Sequence, residues 1–212
     1  PKKANWLVLG DSYASGTYAI FAKSFPDVNF LQLTIPGCRL RPPARIEGNG
    51  MCDQLQRMIY RHIEDNKGTI DGVIVSSNWQ KGHVYLVEEI VHTFRQSNKE
   101  VILVNQRIAF KDRVPNIVAS TLNKSMAREK ANIMLKTDNY EIREVIAQRL
   151  EADTKLVDMI DLQCPDQCDI FDNNENLIYL DGTHLSPDGI AYISKRLAAL
   201  YGSLFDPQNT RN

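Results

Sequence analysis

Asn5-Trp6-Leu7-Val8-Leu9-Gly10-Asp11-Ser12-Tyr13-Ala14 is the stretch on which the reading of this chain turns. A short apolar run that ends at a glycine, Asn5–Gly10, predicts a buried β-strand. A helix over 14–24 is expected to follow it. Where such a strand turns into a helix, the Ser12 hydroxyl sits at the carboxyl edge of the sheet. The backbone amides and the positive dipole end of the helix point at the same place. That is a sound position for a nucleophile whose tetrahedral intermediate carries an oxyanion. Taken alone, Gly10–Ala14 reads more simply as a helix start in which Ser12 or Asp11 is the N-cap.

Outward from this stretch, strand and helix alternate. Strands are predicted over 28–35, 72–77 (Gly-Val-Ile-Val-Ser-Ser), 101–105 and 156–160, and helices over 53–65 and 84–96. The helix over 84–96 carries apolar residues at Val84, Leu86, Val87, Ile90, Val91 and Phe94, the pattern of one buried face. Residues 108–150 are expected to be mostly helical, as two helices entered near Pro115. Asp169–Phe171 and Leu177–Leu180 flank Asp-Asn-Asn-Glu-Asn, the pattern of a hairpin turn. A last helix over 186–201 has Ser186 as N-cap, Pro187 at its first position and Gly202 at its end. Neither an internal repeat nor a linker interrupts the 212 residues, so one domain over 1–212 is expected. Strands separated by helices imply a parallel sheet of about five strands with helices on both faces, an α/β fold of flavodoxin-like type. Ligands of such sheets bind beyond the carboxyl ends of the strands.

Composition narrows the function. With 43% hydrophobic and 24% charged residues the chain is that of an ordinary globular protein. A net charge of −1, without a run of like charge or basic residues interleaved with aromatics, argues against nucleic acid as a partner. No apolar run approaches the roughly 18 residues that cross a bilayer. The chain opens at Pro-Lys-Lys and enters a strand almost at once, an abrupt start expected of the C-terminal part of a longer protein. Its four cysteines fall into two close pairs, Cys38 with Cys52 and Cys164 with Cys168, and none is left over. This implies two local disulfides and an oxidising compartment, the alternative being four reduced thiols in a cytosolic protein. Neither pair has zinc spacing, so no metal is expected.

Asp181-Gly182-Thr183-His184-Leu185-Ser186-Pro187 shifts the balance at Ser12. The segment precedes the last helix and follows a strand, so it reaches the same edge of the sheet. An acid three residues before a histidine can turn back to bond one ring nitrogen, which leaves the other free to take a proton from a serine. The plainer alternative is a surface Asp-His pair beside an N-cap. With both segments on one edge, the combination Ser12, Asp181 and His184 reads as a catalytic set. His62, His83 and His92 have no acid at matching spacing in a strand-end loop. Of these, His62 and His92, within predicted helices, read as surface or packing residues. Arg39, Arg41 and Arg45 form a small basic cluster that either meets an anionic glycan or is a solvated loop face.

Gly10-Asp11-Ser12 and Asp181-x-x-His184 resemble the first and last blocks of the SGNH (GDSL-type) hydrolase superfamily. The resemblance implies two middle blocks, each supplying an oxyanion-hole group, and Gly37 and Asn78 occupy those places. It assigns the oxyanion to the backbone amides of Ser12 and Gly37 and the side chain of Asn78. The alternatives are a Pro-Gly turn for Gly37 and a loop cap for Asn78. The third block departs from the common Gly-x-Asn-Asp, reading Ser76-Ser77-Asn78-Trp79. A narrower resemblance rests on Gly37–Pro43 through Cys52, on Cys164-Pro165-Asp166-Gln167-Cys168 and on Leu177–Ser186. These are similar to SGNH domains fused behind membrane acyltransferase-three domains, in many of which the third block ends in Arg-Trp rather than Asn78-Trp79. That resemblance implies a periplasmic domain tethered by a preceding membrane domain, an acetyl donor delivered by that domain, a carbohydrate acceptor and no cofactor. It implies O-acetyl transfer to a bacterial surface polysaccharide, with a free carbohydrate O-acetyl esterase and a catalytically silent glycan-binding domain as alternatives.

Overall fold

A computed structural model describes residues 3–151, 153–165 and 167–206. Pro1, Lys2 and Asp166, all in segments quoted above, lie outside the described residues. Five strands form one sheet: β1 (Asn5–Gly10), β2 (Asn29–Thr34), β3 (Gly72–Ser76), β4 (Glu100–Val104) and β5 (Lys155–Val157). Their order is β2-β1-β3-β4-β5, and every pairing is parallel. The flavodoxin-like expectation is met, with the chain reversing direction across the sheet beside β1.

Alternation along the strands explains both hydrophobic layers. Trp6 and Val8 of β1, Ile74 of β3, and Ile102 and Val104 of β4 belong to one cluster. Leu7 and Leu9, Val73 and Val75, and Val101 and Leu103 belong to the other. Because side chains point alternately to opposite faces, a strand covered on both faces must be apolar throughout, as these three are. The first face is covered by α1 (Ser12–Ser24) and α8 (Pro187–Leu200), which pack on each other. The second is covered by α2 (Met51–Asp65), α3 (Leu86–Gln96) and α6 (Asp138–Arg149).

Two predicted elements are corrected. The run 156–160 is not one strand: β5 ends at Val157, and α7 (Met159–Gln163) begins directly after it. Asp158 caps this helix, its carboxylate accepting from the Ile160 and Asp161 amides. Residues 108–150 hold three helices rather than two: α4 (Val114–Ala119), α5 (Lys124–Ile133) and α6. Asn123 starts α5 by accepting from the Met126 amide, and an antiparallel bridge between Phe110 and Leu135 ties the segment together. The hairpin around Asp172 is reduced to a bridge between Phe171 and Leu177, and the last helix has Ser186 as N-cap, as expected. Among the described residues no helix is long and apolar enough to cross a membrane.

Both cysteine pairs are disulfides, Cys38–Cys52 and Cys164–Cys168, with Cα atoms 5.5 and 4.2 Å apart. The first ties the loop after β2 to the first turn of α2.

Candidate active site

The register of the sheet determines what meets at its carboxyl edge. Gly10 pairs with Thr34 of β2 and Ser76 of β3. Ser12, Gly37 and Asn78 therefore leave three adjacent strands within a few residues of one level. Gly10 has a φ of +143°, and a Cβ on it would stand 1.7 Å from the Ser76 carbonyl oxygen. Only glycine permits the backbone of β1 to approach β3 this closely before it turns into α1.

The first turn of α1 separates two roles that the sequence left open. Asp11 is the N-cap: one carboxylate oxygen accepts from the Tyr13 amide at 2.9 Å. Its other oxygen accepts from the Ser77 hydroxyl at 2.7 Å and the Asn78 amide at 2.9 Å. This buried carboxylate thus caps the helix and fastens the loop after β3 to it. Ser12, half-buried at the first helical position, does not cap, and its Oγ faces His184.

Asp181, Thr183 and His184 form a tight turn. One Asp181 oxygen accepts from the backbone amides of Thr183 (2.7 Å) and His184 (2.8 Å). The other lies 2.8 Å from His184 Nδ1, and His184 Nε2 lies 3.2 Å from Ser12 Oγ. A proton on Nδ1 donated to the carboxylate leaves Nε2 as an acceptor for the serine hydroxyl. Burial pushes the Asp181 carboxyl up. The hydrogen bonds from His184 and Thr183 outweigh it and bring the group down to about 2. Asp181 is therefore an anion across the working pH range of any neutral enzyme.

The remaining predicted residues are at the same edge. Gly37 is exposed, with a φ of +77° that favours glycine. Asn78 is half-buried; its amide nitrogen is committed to Asp11, and its side chain makes no hydrogen bond among the described residues. Trp79 turns inward and donates from Nε1 to the Val104 carbonyl at 3.2 Å.

The arginine loop is largely spent on the protein itself. Arg41 pairs with Asp53, and Arg45 with Glu89. Arg39 donates to His83 Nδ1 at 2.8 Å, across the gap between the loops after β2 and β3. Burial, with Arg39 beside it, lowers the His83 pKa and favours this accepting form. His83 is thereby a loop tie, a role its spacing did not reveal. His62 and His92 lie on α2 and α3 and face Asn66 and Gln96.

The fold resembles the periplasmic domain of a lipopolysaccharide acetyltransferase from Salmonella serovar Paratyphi A, with a TM-score of 0.70 at 12% identity over 93% of this chain and 83% of that one. It also resembles a GDSL-like lipase from Bacteroides thetaiotaomicron, with a TM-score of 0.51 at 14% identity over 94% and 88% of the two chains. A salicylyl-acyltransferase from a tetracycline biosynthetic pathway gives 0.50 at 12% identity, over 96% of this chain and 55% of that one. No curated protein matches the sequence. The model of the SGNH domain fused to AT3 domains matches residues 1–199, and the chain belongs to that family.

Proposed function

We propose that this chain transfers O-acetyl groups to a bacterial surface polysaccharide through an acyl-enzyme on Ser12. The observation that carries the reading is the relay of Asp181, His184 and Ser12, at 2.8 and 3.2 Å. In the first half-reaction His184 Nε2 takes the Ser12 proton as Oγ attacks the acetyl carbonyl. The oxyanion is held by the Ser12 and Gly37 amides and the Asn78 side chain. Collapse of the intermediate expels the donor's leaving group with the proton from His184. In the second, His184 removes a proton from a sugar hydroxyl, which attacks the acyl-enzyme, and Ser12 recovers its proton as the acetylated sugar departs. Asp181, anionic throughout, holds the imidazole tautomer and stabilises the imidazolium.

Family membership, and the likeness in fold to a lipopolysaccharide acetyltransferase periplasmic domain, support a carbohydrate acceptor and a periplasmic location. The two disulfides fit an oxidising compartment. On this reading residues 1–212 are one domain, and a membrane AT3 domain delivers the acetyl donor. The test is mass spectrometry of surface glycans incubated with the protein and an activated acetyl donor. Acetylated glycan formed at the expense of free acetate supports transfer, since only a positioned sugar competes with water. Rapid release of acetate from acetylated glycan, with no acetylated acceptor formed, identifies an esterase instead.

A further inference from the structure

Arg107 is buried, 2% exposed, and among the described residues it makes no ion pair. A buried guanidinium without a carboxylate is costly, and its position must be earned by other contacts. Its hydrogen bonds and its ring contact lead to the first turns of α1, and the Asp11 carboxylate and the Tyr179 phenol lie close enough to act on its charge. Its Nη2 donates to the Tyr13 carbonyl at 2.7 Å and to the Thr17 hydroxyl at 3.2 Å. Its guanidinium carbon stands 4.3 Å from the centroid of the Tyr13 ring. Gly16 makes room for it, since a Cβ there would lie 3.3 Å from Nη1. Thr17 in turn shares a hydrogen bond of 2.9 Å with Ser76 at the end of β3.

The Tyr13 ring also meets the His184 imidazole edge to face, with centroids 6.0 Å apart and planes at 87°. The Thr183 side chain lies beside the Tyr13 phenol. Guanidinium, phenol ring and imidazole thus form one chain of contacts from the loop after β4 to the histidine. The hydrogen bonds to Asp181 and Ser12 fix the imidazole at its two nitrogens. The Tyr13 ring packed against it adds a steric limit to its swing about the Cα–Cβ and Cβ–Cγ bonds.

We infer that Arg107 and Tyr13 are positioning residues: Arg107 holds the Tyr13 ring from beneath, and Tyr13 sets the orientation of His184 toward Ser12. This rests on the proposed role of Ser12 and His184. The contribution acts on kcat, because misalignment of the base by a fraction of an ångström weakens proton transfer without removing any contact to the substrate.

The test measures kcat and KM on a small activated acetate ester for Tyr13→Leu, Tyr13→Phe, Arg107→Met and Arg107→Lys, with Ser12→Ala in parallel. Tyr13→Leu and Arg107→Met are expected to lower kcat by about 10–100-fold with KM within about threefold of wild type. Tyr13→Phe, which keeps the ring, should recover most of that loss. The imidazole proton signals of His184 should shift in Tyr13→Leu and Arg107→Met, and far less in Tyr13→Phe. If a truncation does not fold, Arg107→Lys decides: it keeps the charge and loses the planar stack, and a kcat equal to wild type overturns the inference. A folded Tyr13→Leu with wild-type kcat and unmoved His184 signals overturns it equally. If Ser12→Ala stays active, the nucleophile assignment itself fails. An inactive Ser12→Ala beside unaffected Tyr13 and Arg107 variants refutes only the positioning role.

Discussion

Replacing Asp11 by alanine removes three hydrogen bonds from one buried carboxylate, and its cost can be worked from them. Loss of the N-cap to the Tyr13 amide costs about 1 kcal/mol. The Ser77 hydroxyl and the Asn78 amide then lose their acceptor, at about 1–2 kcal/mol each in a site of this burial. The sum is about 3–5 kcal/mol, or about 6–20 °C in Tm for a chain of this length. Asp11→Asn keeps an acceptor oxygen and should lose about half as much. The assay is urea unfolding followed by circular dichroism, checked by thermal melts. A loss below about 1 kcal/mol for Asp11→Ala would refute the claim that this carboxylate fastens the loop after β3 to α1. Because Asn78 lies on that loop, turnover by the folded fraction should also fall, whereas a loop held independently of Asp11 would leave turnover intact.

Three further outcomes are expected. Asn78→Ala should lower kcat by about 100-fold or more with little change in KM, and unchanged turnover would remove Asn78 from the oxyanion site. Asp181 is depressed to about 2, so its contribution to stability is fully present above the unfolded carboxyl value of about 3.9 and is lost as pH falls through about 2. The unfolding free energies of wild type and Asp181→Asn should accordingly converge between about pH 4 and 2, and a gap that is constant with pH contradicts the assignment. The four cysteines should resist alkylation until reduced, and a Cys38→Ser/Cys52→Ser variant should lose about 3 kcal/mol on the chain-entropy account, against about 2 for the tighter Cys164–Cys168 loop. Free thiols in protein from an oxidising compartment, or a Cys38–Cys52 loss below about 1 kcal/mol, would count against these crosslinks.

How far the sequence was legible depended on whether a signal was local. β1, β3 and β4 are buried on both faces, so unbroken apolar runs announced them. The Pro187 and Ser186 start of α8 was equally local. The run Leu156–Ile160 misled because hydrophobicity continues through the strand end, while the deciding signal was Asp158, a capping residue inside an apolar stretch. Asn123 likewise adds a helix start to a stretch that reads as two helices. Ser12, Asp181 and His184 read as a set because two short segments, one at the β1–α1 junction and one just before α8, carry the right chemistry. Their meeting across a separation of 172 residues is a fact of topology. The arginine cluster left two readings open, a glycan contact or a solvated loop face, because spacing alone did not show that Asp53 pairs with Arg41 or that Glu89, 44 residues away, pairs with Arg45. Arg107 gave no signal at all: a lone arginine after a strand reads as surface, and only the packed structure shows it beneath Tyr13.

The most direct test of the account is to treat the native protein with a serine-directed fluorophosphonate and map the modified residue by mass spectrometry, with esterase activity followed in parallel. The account predicts a single adduct on Ser12, loss of activity in step with its formation, and no labelling in Ser12→Ala or His184→Ala. An adduct on another serine, or full activity retained by Ser12→Ala, would contradict it.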